Sequence, residues 1–170
     1  MKILAEISDH SLGLDAPSSV DRVYKFRKSA RAILFNEEGK IAAQYLQNQG
    51  FHKLPGGGVE INEEVNQALK REVLEEVGCD CEIGQEIGMT IEYRNKNELI
   101  QISYCYVAKV VGEVGKPHLE EKEIEEGQVT LWLFPEVLLE KMKTDRPEGY
   151  MCQFILKREM SFLEEYFSSK

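Results

Sequence analysis

The sequence has few cysteines and no long apolar run, and each shortage excludes a class of protein. Its four cysteines (Cys79, Cys81, Cys105 and Cys152) form no C-x-x-C pair, which argues against a zinc site or a disulfide framework. No segment is long and apolar enough to span a bilayer, and the apolar run at the N-terminus is too short for a signal peptide. The sequence therefore predicts a cytoplasmic protein with no membrane segment.

Basic residues are also scarce, since 21 lysines and arginines stand against 30 aspartates and glutamates and give a net charge of −9. Proteins that bind nucleic-acid polymers or anionic membranes need a basic patch, so this balance argues against both partners. It still allows a small anionic ligand whose charge is offset by a bound metal ion. At 170 residues, the chain is long enough for one domain with its own core.

The pattern of apolar and turn residues predicts a mixed α and β domain. The predicted strands cover 2–7 at a sheet edge, a hairpin whose strands end at Phe35 and Leu46, 51–54, 82–92, 99–110 and a strand ending at Phe134. The predicted helices cover 63–77, 135–143 and 149–167, and the connector after the first strand runs through Gly13, Pro17, Ser18 and Ser19. The last helix carries an apolar band, which predicts core packing, with a dimer contact as the alternative.

The helix predicted over 63–77 ends in three glutamates, Glu72, Glu75 and Glu76, that share one face. Glutamates four residues apart repel each other by about 0.2–0.5 kcal/mol, and the helix dipole disfavours them at this end. Asn62 is predicted as the N-cap and Gly78 as the stop.

Local sequence offers these glutamates no well-oriented basic partner, so the face is predicted to be unpaired, and glutamine substitutions are expected to relieve its repulsion. A solvated surface is one explanation. The other is a site for Mg²⁺ or Mn²⁺, which prefer carboxylate oxygens.

A glycine-rich loop, K-L-P-G-G-G-V-E-I-N-E over residues 53–63, leads directly into this helix and lacks the pattern of a P-loop. From Gly57, five residues lead to Glu63 and seven more lead to Arg71, after which the chain reads E-V-L-E-E-V-G-C. This stretch resembles the Nudix box, G-x5-E-x7-R-E-U-x-E-E-x-G-U, in which U is a bulky aliphatic residue. It departs from that pattern only at Cys79, in the last position.

The resemblance implies a MutT-like Nudix hydrolase, with an α/β/α sandwich around a mixed sheet over residues 27–167 and an added strand and connector over residues 1–26. It implies that Mg²⁺ or Mn²⁺ is held by carboxylates and one backbone carbonyl, from Glu72, Glu75, Glu76 and Gly56. It also implies an architectural role for four residues of the box: Gly57, Glu63, Arg71 and Gly78.

The resemblance leaves the general base and the substrate contacts open. Glu75 or Glu76 could act as the base, as could the acidic loop over 120–126, where Glu123 is favoured over a merely solvated loop. Arg27, Lys28 and Arg31 are candidates for phosphate contacts, with surface charge as the alternative. Phe35 is a candidate for stacking on a base, with core packing as the alternative.

The expected activity is Mg²⁺-dependent hydrolysis of the pyrophosphate linkage in a nucleoside diphosphate derivative, most simply a (deoxy)nucleoside triphosphate, oxidised ones included. Hydrolysis of nucleotide sugars or dinucleoside polyphosphates is the alternative among enzymes. A non-catalytic nucleotide-binding regulator is the alternative of another class. The expected partner is a small nucleotide-like molecule, and the expected state is a monomer or a homodimer.

Overall fold

A seven-stranded mixed sheet runs through the computed structural model, which describes residues 1–15 and 21–169. The strands are β1 (Ile3–Ser8), β2 (Lys25–Phe35), β3 (Ile41–Leu46), β4 (Phe51–Lys53), β5 (Asp80–Arg94), β6 (Leu99–Val111) and β7 (Gln128–Leu133). Their order is β1-β5-β6-β2-β3-β4, and β7 pairs with β3. The helices are α1 (Val65–Val77), α2 (Glu121–Glu125), α3 (Pro135–Thr144) and α4 (Tyr150–Ser168), with 3₁₀ turns at His10–Leu12 and Asn95–Asn97. The predicted mixed α and β fold class is confirmed.

Helices cover both faces of the sheet because alternate residues of β2 face opposite sides. Ala30, Ala32 and Leu34 belong to the buried cluster that includes the apolar stripe of α1. Ile33 belongs to a second buried cluster, which includes side chains of α3 and α4. Helices α1 and α4 therefore pack on opposite faces of the same strand, and both can contribute side chains to a site at its edge.

Helix α1 starts later than the sequence predicts. Glu64 is the N-cap, and its N–H donates to the Gln67 side chain at 3.0 Å in a capping box. Asn62, the predicted cap, lies in the preceding turn with a φ of 66°. The prediction of Asn62 as the N-cap was therefore wrong. It rested on the intrinsic cap preference, which favours asparagine over glutamate, whereas here the capping box fixes Glu64. Gly78 does end the helix, with a φ of 81° that favours glycine.

The predicted hairpin between β2 and β3 is formed by a single residue pair, Phe35 opposite Ile41. The long partner of β2 is β6, which runs parallel to it from end to end. β3 pairs instead with β4 and β7. The predicted hairpin is confirmed, but its two strands pair only next to the turn, because local turn signals do not reveal partners that are distant in the chain. The two strands diverge from their shared turn.

The glycine-rich loop runs along the edge of β2 from which β3 diverges. The N–H groups of Ala30 and Ala32 donate to the carbonyls of Gly57 and Pro55, each at 3.0 Å. Gly58 forms an isolated bridge with Ser29. The loop is therefore fixed against the centre of the sheet, just before α1 begins.

The N-terminal strand β1 extends the sheet at the edge predicted for it, pairing parallel with β5. After β1, the buried Asp9 accepts a hydrogen bond from the Asn95 N–H at 3.2 Å. This contact ties the N-terminal segment to the end of β5. Of the predicted connector, Pro17, Ser18 and Ser19 lie outside the described residues.

All four cysteines are free thiols, and three of them are buried. Within residues 1–15 and 21–169, no helix has the length and apolar character needed to cross a membrane.

Leu69 and Leu74 offer a test of how α1 is held on the sheet, because Leu69 is fully buried and Leu74 is 47% exposed. We expect Leu69→Ala to lower the free energy of unfolding by about 2–5 kcal/mol, since it leaves a cavity under the helix. Leu74→Ala, the matched control, should change it by less than about 0.5 kcal/mol. Urea unfolding measures both values. Equal losses in the two variants would contradict this packing.

Candidate functional site

A cavity of about 600 Å³ opens where the glycine-rich loop, the C-terminal half of α1, α2 and the first turns of α4 meet. Its lining has a strongly polar character and contains charges of both signs. Carboxylates come from α1 and α2, whereas guanidinium groups come from β2, β5 and α4. The cavity therefore has the composition expected for binding an anion together with a cation.

Each of the three consecutive glycines of the loop lies in close contact with a neighbouring group, which is backbone at Gly56 and the end of a flexible side chain at Gly57 and Gly58. A Cβ at Gly56 would lie 2.1 Å from the Ala30 carbonyl oxygen, and the φ of this residue is 128°. A Cβ at Gly57 would lie 2.3 Å from the Glu72 carboxylate, and one at Gly58 would lie 2.8 Å from the Arg27 guanidinium. The loop thus lies in direct contact with β2, with the acidic face of α1 and with Arg27.

Arg71 connects this loop to α1. Its Nε and Nη2 donate to the two oxygens of Glu63, each at 3.0 Å. Its Nη2 also donates to the Gly58 carbonyl at 2.9 Å, and its Nη1 donates to Glu72 at 2.9 Å and Glu75 at 3.1 Å. These contacts fit the architectural role that the resemblance implies for Glu63 and Arg71.

Glu76 is the most deeply buried of the three glutamates. One of its oxygens accepts from Lys53 Nζ at 2.9 Å and Gln128 Nε2 at 3.2 Å, and the other accepts from the Gly56 N–H at 2.6 Å. Burial raises the pKa of Glu76, but the charge of Lys53 and the Gly56 hydrogen bond outweigh burial and hold the pKa below its ordinary value.

The prediction that the acidic face is unpaired was therefore wrong. Glu72 and Glu75 form ion pairs with Arg71, and Glu76 forms one with Lys53. Lys53 is not a neighbour along α1, because it comes from β4 on the other side of the loop. Arg71 is such a neighbour, and it pairs with two glutamates of the acidic face at once.

The acidic segment predicted as a loop contains the short helix α2, which supplies further carboxylates. Of the five glutamates in residues 120–126, Glu120, Glu123 and Glu126 line the cavity. Burial, followed by the nearby charge of Glu76, raises the pKa of Glu123 to about 7. Glu123, the predicted general base, thus lies beside the acidic face of α1.

No three Asp, Glu, His or Cys side chains of the described residues already form a metal-binding cluster. Glu72 and Glu76 nevertheless lie close enough to oppose each other's ionisation, since burial and then the charge of Glu76 raise the pKa of Glu72. Carboxylates crowded in this way gain from a bound cation, and an all-oxygen donor set suits Mg²⁺ or Mn²⁺. The donors fit such an ion, provided that their bonds to Arg71 and Lys53 give way.

The candidate substrate contacts divide into two groups. Arg27 and Arg31 line the cavity, and Arg31 donates to Glu159 of α4 at 3.2 Å. Phe35 does not line the cavity, because its ring packs against Tyr166 with the centroids 5.7 Å apart. Lys28 is exposed and is also absent from the lining.

Sequence reasoning missed several residues of the cavity wall, among them Arg94 of β5, Gln101 of β6 and Arg158 of α4. A signal for Arg158 was present, because this residue stands four positions from both Phe154 and Phe162 in the apolar band of α4. A charged residue in the middle of such a band must be paired when it is buried, and Arg158 is 1% exposed.

Residues 25–154 match the NUDIX domain family. An RNA pyrophosphohydrolase of Wolbachia pipientis (strain wPip) is 33% identical over 91 residues, which are 52% of this chain and 55% of the relative. A MutT-like protein of Streptomyces ambofaciens is 28% identical over 114 residues, covering 67% of this chain and 68% of that protein. The chain thus spans about half the length of the RNA pyrophosphohydrolase that it matches.

The fold is similar to that of a NUDIX hydrolase from Nitrosomonas europaea, with a TM-score of 0.63 at 20% identity, covering 86% of this chain and 91% of the other. At this identity the likeness concerns the fold alone. The match to the family over most of the chain carries the assignment. The sequence-based identification as a MutT-like member of the Nudix hydrolases is confirmed, and the chain belongs to the NUDIX domain family.

Proposed function

We propose that this protein is an Mg²⁺- or Mn²⁺-dependent hydrolase of pyrophosphate linkages, whose substrates are nucleoside or deoxynucleoside triphosphates, oxidised ones included. One observation carries the proposal. Carboxylates of α1 and α2 converge beside the glycine-rich loop, in a cavity whose other walls carry guanidinium groups. Carboxylates suit the cation, and arginines suit the phosphates that the cation would bind. The RNA pyrophosphohydrolase among the relatives supports a pyrophosphate linkage as the bond that is hydrolysed.

In this proposal, Glu72 and Glu76 hold the cation, with Glu75 and the Gly56 carbonyl as further ligands. A divalent ion polarises phosphoryl oxygens and lowers the pKa of bound water. Glu123, beside the acidic face of α1, would accept the proton of the attacking water. If Glu76 served as a ligand of the cation, Lys53 would be free to neutralise a phosphate oxygen. Water adds to one phosphorus of the linkage, and the bond from that phosphorus to the bridging oxygen breaks.

The compartment and the oligomeric state belong to the proposal as well. Four free thiols are consistent with a cytoplasmic enzyme. A monomer or a homodimer stays the prediction made from the sequence.

The first test concerns the reaction and its metal requirement. We expect release of pyrophosphate from a panel of nucleoside triphosphates with Mg²⁺ or Mn²⁺, and none with excess chelator. Glu76→Gln should lower kcat by more than about 100-fold, since it removes a charge that balances the cation. Glu140→Gln, an exposed glutamate of α3, is the control and should leave kcat unchanged. Undiminished hydrolysis in chelator would contradict the proposal. Turnover confined to nucleotide sugars or dinucleoside polyphosphates would correct its substrate.

The second test measures cation binding without catalysis. A cation that binds the folded state at a hundredfold excess over Kd stabilises it by about 2.7 kcal/mol, which raises Tm by about 5–10 °C for a domain of this size. The triple variant Glu72→Gln, Glu75→Gln, Glu76→Gln should lose this rise. An equal rise in the variant would place the cation elsewhere.

The ion pairs reverse one expectation from the sequence, namely that the triple variant gains stability without metal. Because Arg71 and Lys53 would lose their carboxylates, we expect the metal-free Tm of the variant to fall. Differential scanning calorimetry of both proteins, each with and without Mg²⁺, gives the two quantities. A metal-free Tm that is higher in the variant than in the wild type would contradict this expectation, because it would mean that repulsion among the glutamates outweighs their ion pairs.

A further inference from the structure

The sheet face beneath α4 changes character at the end that lines the cavity. Two successive rows across β2, β6 and β5 are polar there: Arg27, Gln101 and Glu92, then Ser29, Ser103 and Thr90. Farther along, the same face is apolar, with Ile33, Cys105 and Ile87 in the core cluster. Polar side chains are thus concentrated under the part of α4 that borders the cavity.

Four arginines surround this polar region, and among the described residues their salt bridges are formed with two carboxylates, those of Glu92 and Glu159. Arg158 donates to Glu92 at 2.8 Å and to Glu159 at 2.6 Å. Arg94 pairs with Glu92, and Arg31 pairs with Glu159. Arg27 forms no salt bridge with any described residue. Three buried arginines thus share two buried carboxylates, and the exposed Arg27, on which the charge of Glu72 acts, lies beside them.

A network that served only to hold α4 on the sheet would balance its charges, because uncompensated buried charge is costly. The buried part of this network, with three arginines and two carboxylates, does not balance them. Burial and the charge of Arg158 lower the pKa of Arg31, which reflects the crowding of positive groups. The excess positive charge lies along the cavity wall, where an anion can reach it.

Gln101 provides a second, independent observation. It is 2% exposed and lines the cavity, and its Nε2 donates to Ser29 Oγ at 3.3 Å and Ser103 Oγ at 3.0 Å. Its Oε1 has no partner among the described residues. Serine hydroxyls donate as well as accept, so the amide can turn over and present its NH₂ group to the cavity at little cost. In either orientation, the end of this buried amide that faces away from the two serines has no partner among the described residues.

The arginine region begins where the acidic face ends. Glu72 and Arg27 lie against the neighbouring glycines Gly57 and Gly58, whose Cα atoms are about 3.8 Å apart. A phosphate chain bound to a cation at Glu72 therefore lies next to Arg27. Successive phosphates of one chain can span from the first region to the second.

We propose that Arg27, Arg94, Arg158 and Gln101 form a second anion subsite, which holds a terminal phosphate of the substrate while the scissile linkage lies at the α1 carboxylates. This subsite determines which substrates the enzyme prefers, and that preference rests on the proposed function. The enzyme prefers substrates that end in a free phosphate, such as nucleoside triphosphates, over nucleotide sugars, whose second group is neutral.

The subsite is tested first without metal or turnover, by calorimetric titration of the protein with inorganic phosphate in excess chelator. Two variants probe it: Arg27→Gln removes an unpaired guanidinium, and Gln101→Glu adds a carboxylate of nearly the same shape. We expect each to weaken phosphate binding by about tenfold or more. Lys28→Gln is the matched control, since this neighbouring lysine is exposed and lies outside the cavity lining. It should bind phosphate as the wild type does.

A second arm uses the reaction itself. Arg27→Gln should raise KM for a nucleoside triphosphate and leave KM for a nucleotide sugar unchanged. Phosphate binding that is equal in wild type and both variants would overturn the subsite, even if metal-dependent hydrolysis is intact. Loss of phosphate binding in the variants of a protein that hydrolyses nothing would keep the subsite and refute the proposed function. If Gln101→Glu does not fold, the exposed Arg27→Gln decides the question.

Discussion

The close contact of three glycines with their surroundings is the constraint on which the rest of the site depends. At Gly56 a side chain has no space against the backbone of β2, and Gly57 and Gly58 lie against the ends of the Glu72 and Arg27 side chains. Because the loop is this close, the Gly56 N–H reaches the buried carboxylate of Glu76, and Arg71 reaches both the loop and the helix. A larger residue at Gly56 would separate the loop from β2 and from Glu76.

Two walls of opposite charge result from this arrangement, although the chain as a whole is acidic. The carboxylates come from α1 and α2, and four of the arginines come from β2, β5 and α4. Helices α1 and α4 pack on opposite faces of the sheet. The net charge of −9 says nothing about this local distribution. A metal-bound polyphosphate matches both walls, because its cation suits the acids and its oxygens suit the arginines. The proposed chemistry follows from that match.

The sequence predicted the features that depend on local pattern. The strand periods, the end of α1 at Gly78 and the spacing of the box were all readable, because each depends on neighbours along the chain. The pairing between segments that are distant in the chain could not be predicted in this way. The long partner of β2 is β6, which no local pattern indicated. The cation beside Glu76 is Lys53, so the prediction of an unpaired acidic face was wrong. Arg158 was missed because a buried ion network uses the same residue types as a solvated helix surface.

The most direct test of this account is a crystal structure of the protein with Mn²⁺ and a non-hydrolysable nucleoside triphosphate analogue, in which anomalous scattering locates the ion. The account predicts a peak about 2.1 Å from carboxylate oxygens of Glu72 and Glu76, with the ion pairs to Arg71 and Lys53 broken and phosphate oxygens on the arginine side of the loop. An ion bound elsewhere in the chain, with both ion pairs intact, would contradict it.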